Sequence, residues 1–235
     1  MANPSINLGN GNWSVKESKL LGSRPIKDKI APIEFDVTRA STATRVNKQG
    51  LIETVNSNIA RIDYSNDANG ALLLENQSTN SLLQSNQFDT TWIAFSATTT
   101  PNQVGVGGSS DAWLLNKSAS NGRIVQNLSL NGVQSFSLYA KADSLNWLKI
   151  QGYNGSLFYS SNFDLVNGVI SSETNLIDSS IKSLGGGWYR CSISFNCNNQ
   201  LIYVYPADSA NSTTGTSGSI YIQYAQLEQG SYATS

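Results

Sequence analysis

The chain has 235 residues, enough for one large β domain or for one domain with a substantial arm. Charged residues make up 13%, about half the usual ~25%, and the net charge is −1; the scattered cations give no basic stripe to track phosphates, which argues against nucleic-acid binding. The 5 Trp, 10 Tyr and 7 Phe can fill a core, which excludes a disordered chain, and the absence of His excludes Ser-His-Asp, Cys-His and His-metal chemistry.

The opening "MANPSINLGNGNWSVKESK" lacks the apolar stretch of a signal peptide, and no segment approaches the ~18 apolar residues of a membrane span. Synthesis in a cytoplasm without an export signal is the expectation. Residues 1–80 carry short apolar pieces, Pro25 and Pro32, and small β-like runs such as "RIDYS" and "GALLLEN". They read as an extended N-terminal arm with short hairpins, too poor in apolar residues to make a core alone and ordered on a partner. Within it "FDVTRASTATRVNKQGLIE" has period 2, which places Arg39 and Arg45 on one face, and an Asn-Lys-Gln-Gly turn leading into "LIE".

Residues 81–235 read as an antiparallel β-sandwich of the jelly-roll kind. About ten alternating runs recur at 8–12-residue spacing, from "FDTTWIAFSAT" through "GRIVQNLSL", "QSFSLYAKA", "NWLKIQGY", "LFYSSNFDL", "WYRCSISFNC" and "LIYVYPA" to "SIYIQYAQLE". Turn chemistry such as "NG", "YNGS" and "GGG" separates them. No helical stripe longer than about ten residues is present. In "SIYIQYAQLE" strict alternation sets Ile220, Ile222, Tyr224 and Gln226 against Tyr221, Gln223, Ala225 and Leu227, apolar on both faces, which predicts a central strand or cover from a neighbouring chain.

Cys191 and Cys197 share one face of a strand roughly 20 Å apart, beyond the ~7 Å that a disulfide bridges, and read as reduced core thiols. No cofactor and no metal site is expected. "DYSNDANG" superficially suggests a calcium loop, but its spacing is that of an Asx turn. The acids lie mostly in turns, and no catalytic residue is nominated. Ligand chemistry rests on aromatics, whose faces stack on sugar C–H surfaces while amides take the hydroxyls. Trp147, Tyr153, Phe158 and Tyr159 surround "YNGS" as the candidate glycan platform, with Trp147, Tyr153 and Tyr159 as the nominated stacking residues; Trp92, Trp113 and Trp188 read as packing.

The blocks "FDVTRASTATRVNKQGLIE", "ARIDY", "LLLENQSTNSLLQSNQFDTTW" and "IYIQYAQLEQGSYATS", with "NLGNGNWSVKESKLLG" near the start, resemble a module common in phage virion proteins. The resemblance implies a non-enzymatic head fibre, capsid decoration or tail appendage located in the virion. Its arm would contact capsid, portal or tail proteins, its jelly roll would be similar to carbohydrate-binding modules, and it would be a homo-oligomer, most often a trimer. Two other roles stay open: a receptor-binding lectin-like module, and a polysaccharide-degrading tail enzyme. In this setting the opening block reads as architecture. Arg39 and Arg45 are expected to bond main-chain or acidic groups of the arm or a neighbouring subunit, with Glu53 and Asp63 as partners and Arg61 of "ARIDY" in the same set.

Overall fold

The computed structural model describes residues 13–16, 19–26, 29–34, 36–65, 67–75 and 78–234, with residues 13–34 of this set and 130, 199 and 200 described by backbone alone. Residues 1–12, which hold part of the resemblance to phage appendages, lie outside the described residues. The described residues fall into two compact units, one running to residue 75 together with Thr234, the other Ser78–Ala233. Among the described residues there is no helix, so none is long and apolar enough to cross a membrane.

The first unit is a series of small antiparallel pieces. Strands β1 (Trp13–Lys16), β2 (Lys19–Ile26) and β3 (Lys29–Glu34) form a meander. Strands β4 (Ala43–Val46) and β5 (Ile52–Val55) form a hairpin with Arg45 opposite Glu53, and β6 (Ile62–Asp63) pairs with β7 (Ala71–Leu72). The β4–β5 turn closes because Asn47 Oδ1 accepts the N–H groups of Gln49 and Leu51, both at 3.0 Å, while Gly50 takes φ +78°. Among the residues described with side chains, Val55, Ala60 and Ile62 are its buried apolar residues.

Arginine supplies what this small core lacks. Arg39 donates to the carbonyls of Asn56 at 2.6 Å, Val55 at 3.2 Å and Ile59 at 3.3 Å, and also to Ser41 O. Arg45 pairs with Glu53 at 2.5 Å. Arg61 reaches Glu75 at 2.7 Å and Thr44 O at 2.8 Å, and Asp63 accepts the Val46 N–H at 2.8 Å. One expectation is corrected: residues 36–42 are not strand, so period 2 does not govern Arg39, which instead caps the chain around residues 55–59. In the "DYSNDANG" segment Asp67 Oδ1 accepts the Asn69 N–H at 2.8 Å, an Asx turn.

The second unit is an antiparallel β-sandwich built from β8 (Ile93–Phe95), β9 (Ala97–Gln103), β10 (Ala112–Lys117), β11 (Arg123–Ala142), β12 (Trp147–Tyr153), β13 (Phe158–Asp164), β14 (Val169–Thr174), β15 (Asp178–Gly185), β16 (Trp188–Ala207) and β17 (Gly218–Gln229). Two strands of 20 residues, β11 and β16, pair along their lengths and pass from one layer into the other. The first layer is ordered β14-β13-β12-β16-β11-β8 and uses Leu201–Ala207 of β16. The second is ordered β15-β16-β11-β17-β10-β9 and uses Trp188–Ser194 of β16. The sequence suggests separate strands on either side of Asn131-Gly132, but the dipeptide sits beside a register shift within β11, with Gly132 at φ +88°. A bulge bends a strand without ending it.

Inward residues of the two layers interdigitate. Leu148, Ile150, Ile124, Ile202, Val204 and Phe163 face Phe136, Leu138, Cys191, Ile193, Phe195 and Ile222 in one fully buried cluster. Neither thiol is in a disulfide and both are buried, and Trp92, Trp113 and Trp188 are buried as well. Strand β17 lies between β11 and β10, but strict alternation along it fails. Tyr224, at φ +49°, is exposed, and a register shift carries Ala225 and Leu227 to the core side already held by Ile220 and Ile222. Asn80 holds this irregular stretch: its amide donates to Ala225 O at 3.1 Å, and its Oδ1 accepts the N–H groups of Leu227 at 2.9 Å and Leu82 at 3.1 Å.

Candidate ligand-binding face

Because side chains alternate along a strand, the register that buries Leu148, Ile150, Ile202, Val204 and Ile124 turns their neighbours outward. On the outer face of the first layer Lys149 stands between Tyr205 and Asn162, and Gln151 between Tyr203 and Ser160. Val125 is beside Tyr203, and Arg123 beside Phe95. Trp147 lies between Ala207 and Asp164, and Tyr153 between Leu201 and Phe158. From β8 to β13 this surface crosses four strand spacings, roughly 19 Å.

Tyr205 is the floor of the centre. It is 8% exposed, its hydroxyl donates to Gln151 Oε1 at 3.1 Å, and burial pushes its pKa up to about 12. Two cations lie against its ring, Arg123 at 5.8 Å and Lys149 at 5.9 Å from the centroid. The Arg123 guanidinium also lies 4.9 Å from the Phe95 ring and 5.4 Å from that of Tyr203. Burial holds the Lys149 ammonium below the ordinary lysine range. Beside this centre a cavity of about 210 Å³ is lined by Ile93, Phe95, Arg123, Val125, Asn127 and Tyr203, with Leu201. It is smaller than the ~300–1,000 Å³ of enclosed small-molecule pockets, as suits one subsite on an open surface.

At the far corner the exposed Phe158 ring stacks on Tyr153 at 4.4 Å and 25°. Trp147 and Tyr153, both nominated from the sequence, are half-buried outward residues of β12. Tyr159 is a correction. It points inward, is 6% exposed and stacks on Phe195 of the opposite layer at 5.4 Å, so its ring is part of the core. The residue next to it, Phe158, holds the outward position. Sequence reasoning passed over Tyr203, Tyr205, Arg123, Lys149 and Gln151. The alternation in "LIYVYPA" marks Tyr203 and Tyr205 as one face, but only the pairing of β16 with β12 and β11 brings them to the other residues.

Among these outward residues Asp164 is the sole carboxylate. It accepts N–H groups from Val166 at 2.8 Å and Asn167 at 3.0 Å, and the Asn167 amide at 2.8 Å. Burial works to raise its pKa, but these hydrogen bonds bring it below the usual carboxylate range. No group of residues that could hold a metal ion occurs among the described residues.

No family of known proteins and no curated protein matches the chain. Solved structures of similar shape include TmCBM61 in complex with β-1,4-galactotriose, at 16% identity and TM-score 0.40, covering 65% of this chain and 99% of that one. Another is the CBM22-1–GH10 portion of Clostridium thermocellum xylanase 10B with xylohexaose, at 10% identity and TM-score 0.38, covering 62% and 27% respectively. A third is an exo-β-1,3-galactanase of Phanerochaete chrysosporium with galactose, at 13% identity and TM-score 0.33, covering 87% and 40%. The fold defined by the strand pairing is an all-β, two-layer antiparallel sandwich, and the site is defined by its own geometry.

Proposed function

We propose that the second unit binds glycans, without chemistry, across the outer face of its first layer. The observation that carries this reading is the arrangement of Phe95, Tyr203, Trp147, Tyr153 and Phe158 with Asn127, Gln151, Lys149 and Arg123 on neighbouring strands in register. A pyranose offers an apolar C–H face and a rim of hydroxyls, and this surface offers ring faces next to amide and cationic donors. Glycosidic hydrolysis by the usual route needs two carboxyl groups about 5–9.5 Å apart, whereas the single outward carboxylate is engaged in a turn. The test is a glycan array probed with the full chain, with Trp147→Ala and Tyr203→Ala beside it. Selective binding that either change weakens at least about tenfold, ~1.4 kcal/mol, supports the reading. A chain that binds no glycan, or variants that bind as well as the parent, would sink it.

The setting we propose is the virion of a bacteriophage, where the chain serves as a head fibre, capsid decoration or tail appendage. The sequence blocks over residues 35–92 and the closing "AQLEQGSYATS" support it. In that setting the first unit attaches to capsid, portal or tail proteins, and the chain forms a homo-oligomer, with a trimer as the expected form. Deleting residues 1–30 should abolish decoration of particles; full occupancy by the truncated protein would contradict the attachment role. The same face would serve a receptor-binding lectin-like role.

A further inference from the structure

We infer that the glycan bound by this face is anionic, carrying a uronate carboxylate or a sulfate ester that lies between Arg123 and Lys149. The inference rests on the glycan reading of the face. Both cations lie within 6 Å of the same Tyr205 ring, on the two strands that flank β16. Neither forms an ion pair with an acid among the described residues. Among the described residues the guanidinium of Arg123 donates to Asn121 O at 3.1 Å, and its buried Nε lacks a partner. Among the outward residues described for this face, the one carboxylate, Asp164, is occupied by the Val166 and Asn167 donors.

A neutral glycan does not account for this arrangement. Amides and hydroxyls suffice for sugar hydroxyls, whereas two cations on a partly desolvated surface cost solvation. Aromatic rings offset part of that cost through their negative faces, and Arg123 has three of them, Phe95, Tyr203 and Tyr205. An anion between the two groups offsets the rest by forming charge-assisted hydrogen bonds, to which the planar guanidinium adds a fork that fits carboxylate or sulfate. The ~210 Å³ cavity, whose lining includes Arg123, then seats the ring beside the charged one.

The test is titration calorimetry of the full chain with a uronate oligosaccharide, its carboxyl-reduced neutral counterpart, and a sulfated oligosaccharide of the same length. The expectation is that at least one acidic ligand binds about tenfold or more tighter than the neutral one, and that its affinity falls as salt is raised while the neutral ligand's does not. Arg123→Gln and Lys149→Gln should each weaken binding of the acidic ligand about tenfold or more beyond any loss for the neutral one, and so erase that preference. Far-ultraviolet circular dichroism and a thermal melt confirm that each variant folds, and the Lys149 change stands in for the Arg123 change if the latter does not. The uronate and sulfate arms separate the two anion sources. Equal affinity for acidic and neutral ligands, or acidic binding unchanged in both variants, overturns the anionic assignment and leaves the glycan face standing. Absence of binding to every ligand overturns both.

Discussion

The sharpest stability prediction concerns the Lys117 ammonium, which is carried into the second unit by β10. The side chain is fully buried, and its Nζ donates to Asp208 Oδ1 at 2.6 Å and to Thr213 O at 3.3 Å. Asp208 Oδ2 accepts the Gly215 N–H at 2.6 Å, so one carboxylate ties the ammonium to the loop after β16. Asp208→Ala leaves a buried ammonium with a single carbonyl, a change that costs about 3–5 kcal/mol. For a domain of this size that lowers Tm by about 6–20 °C, at ~2–4 °C per kcal/mol. Lys117→Met fills the site with apolar volume and leaves Asp208 partly exposed and still bonded to Gly215 N, so its cost should stay below about 2 kcal/mol. Urea unfolding followed by circular dichroism measures both. If Asp208→Ala costs less than about 1 kcal/mol, or Lys117→Met costs as much as Asp208→Ala, the assignment of a charge-dependent tie is wrong.

Three further outcomes are expected. Asn80→Ala should destabilise the second unit by about 1–3 kcal/mol in the same unfolding experiment, because it strips partners from Ala225 O and from the N–H groups of Leu82 and Leu227. Tyr205, whose folded pKa is about 12 against ~10 when unfolded, favours the folded state fully below pH ~10 and loses that contribution as pH rises toward 12. A stability–pH profile should therefore fall over that window, and Tyr205→Phe should flatten the fall. Burial raises the Cys191 thiol well above its ordinary value and the Cys197 thiol to about 11, so a thiol reagent at pH 8 should label neither in the folded protein and both in urea.

Much of the sandwich is written in local patterns. "NWLKIQGY" alternates, and β12 duly buries Leu148 and Ile150 while turning Trp147, Lys149, Gln151 and Tyr153 outward. Where expectation and structure part, one residue of register decides. Phe158 and Tyr159 both flank the turn that follows Tyr153, yet the β12–β13 pairing sets Phe158 opposite Tyr153 and Tyr159 opposite Gly152, on the core side. A glycine there gives the ring space: a Cβ on Gly152 would stand 3.2 Å from Phe195, on which Tyr159 stacks. Tyr224 marks a second limit, since a bulge that exchanges the faces of β17 breaks period 2 without any turn residue to announce it.

The candidate site is non-local, and that is why most of it was hidden. Arg123, Lys149 and Tyr205 belong to three strands far apart in the chain, and only the sheet order places them together. Asn131-Gly132 adds to the difficulty. It reads as a hairpin turn that would end β11, whereas the strand continues through it and joins the two layers. The arginines of the first unit were legible in kind, because small and polar neighbours leave a guanidinium only carbonyls and carboxylates to bond. Which carbonyls Arg39 would take was not, since the chain from residue 55 to 59 has to turn back to meet it.

The most direct test of the binding face is a nuclear magnetic resonance titration of isotope-labelled protein with the oligosaccharide that binds best on an array. The account predicts saturable shifts at Phe95, Arg123, Lys149, Tyr203 and the Trp147 indole, with Tyr139, Arg190 and Gln226 on the outer face of the second layer unmoved. Shifts confined to that second face, or no oligosaccharide able to produce any, would contradict it.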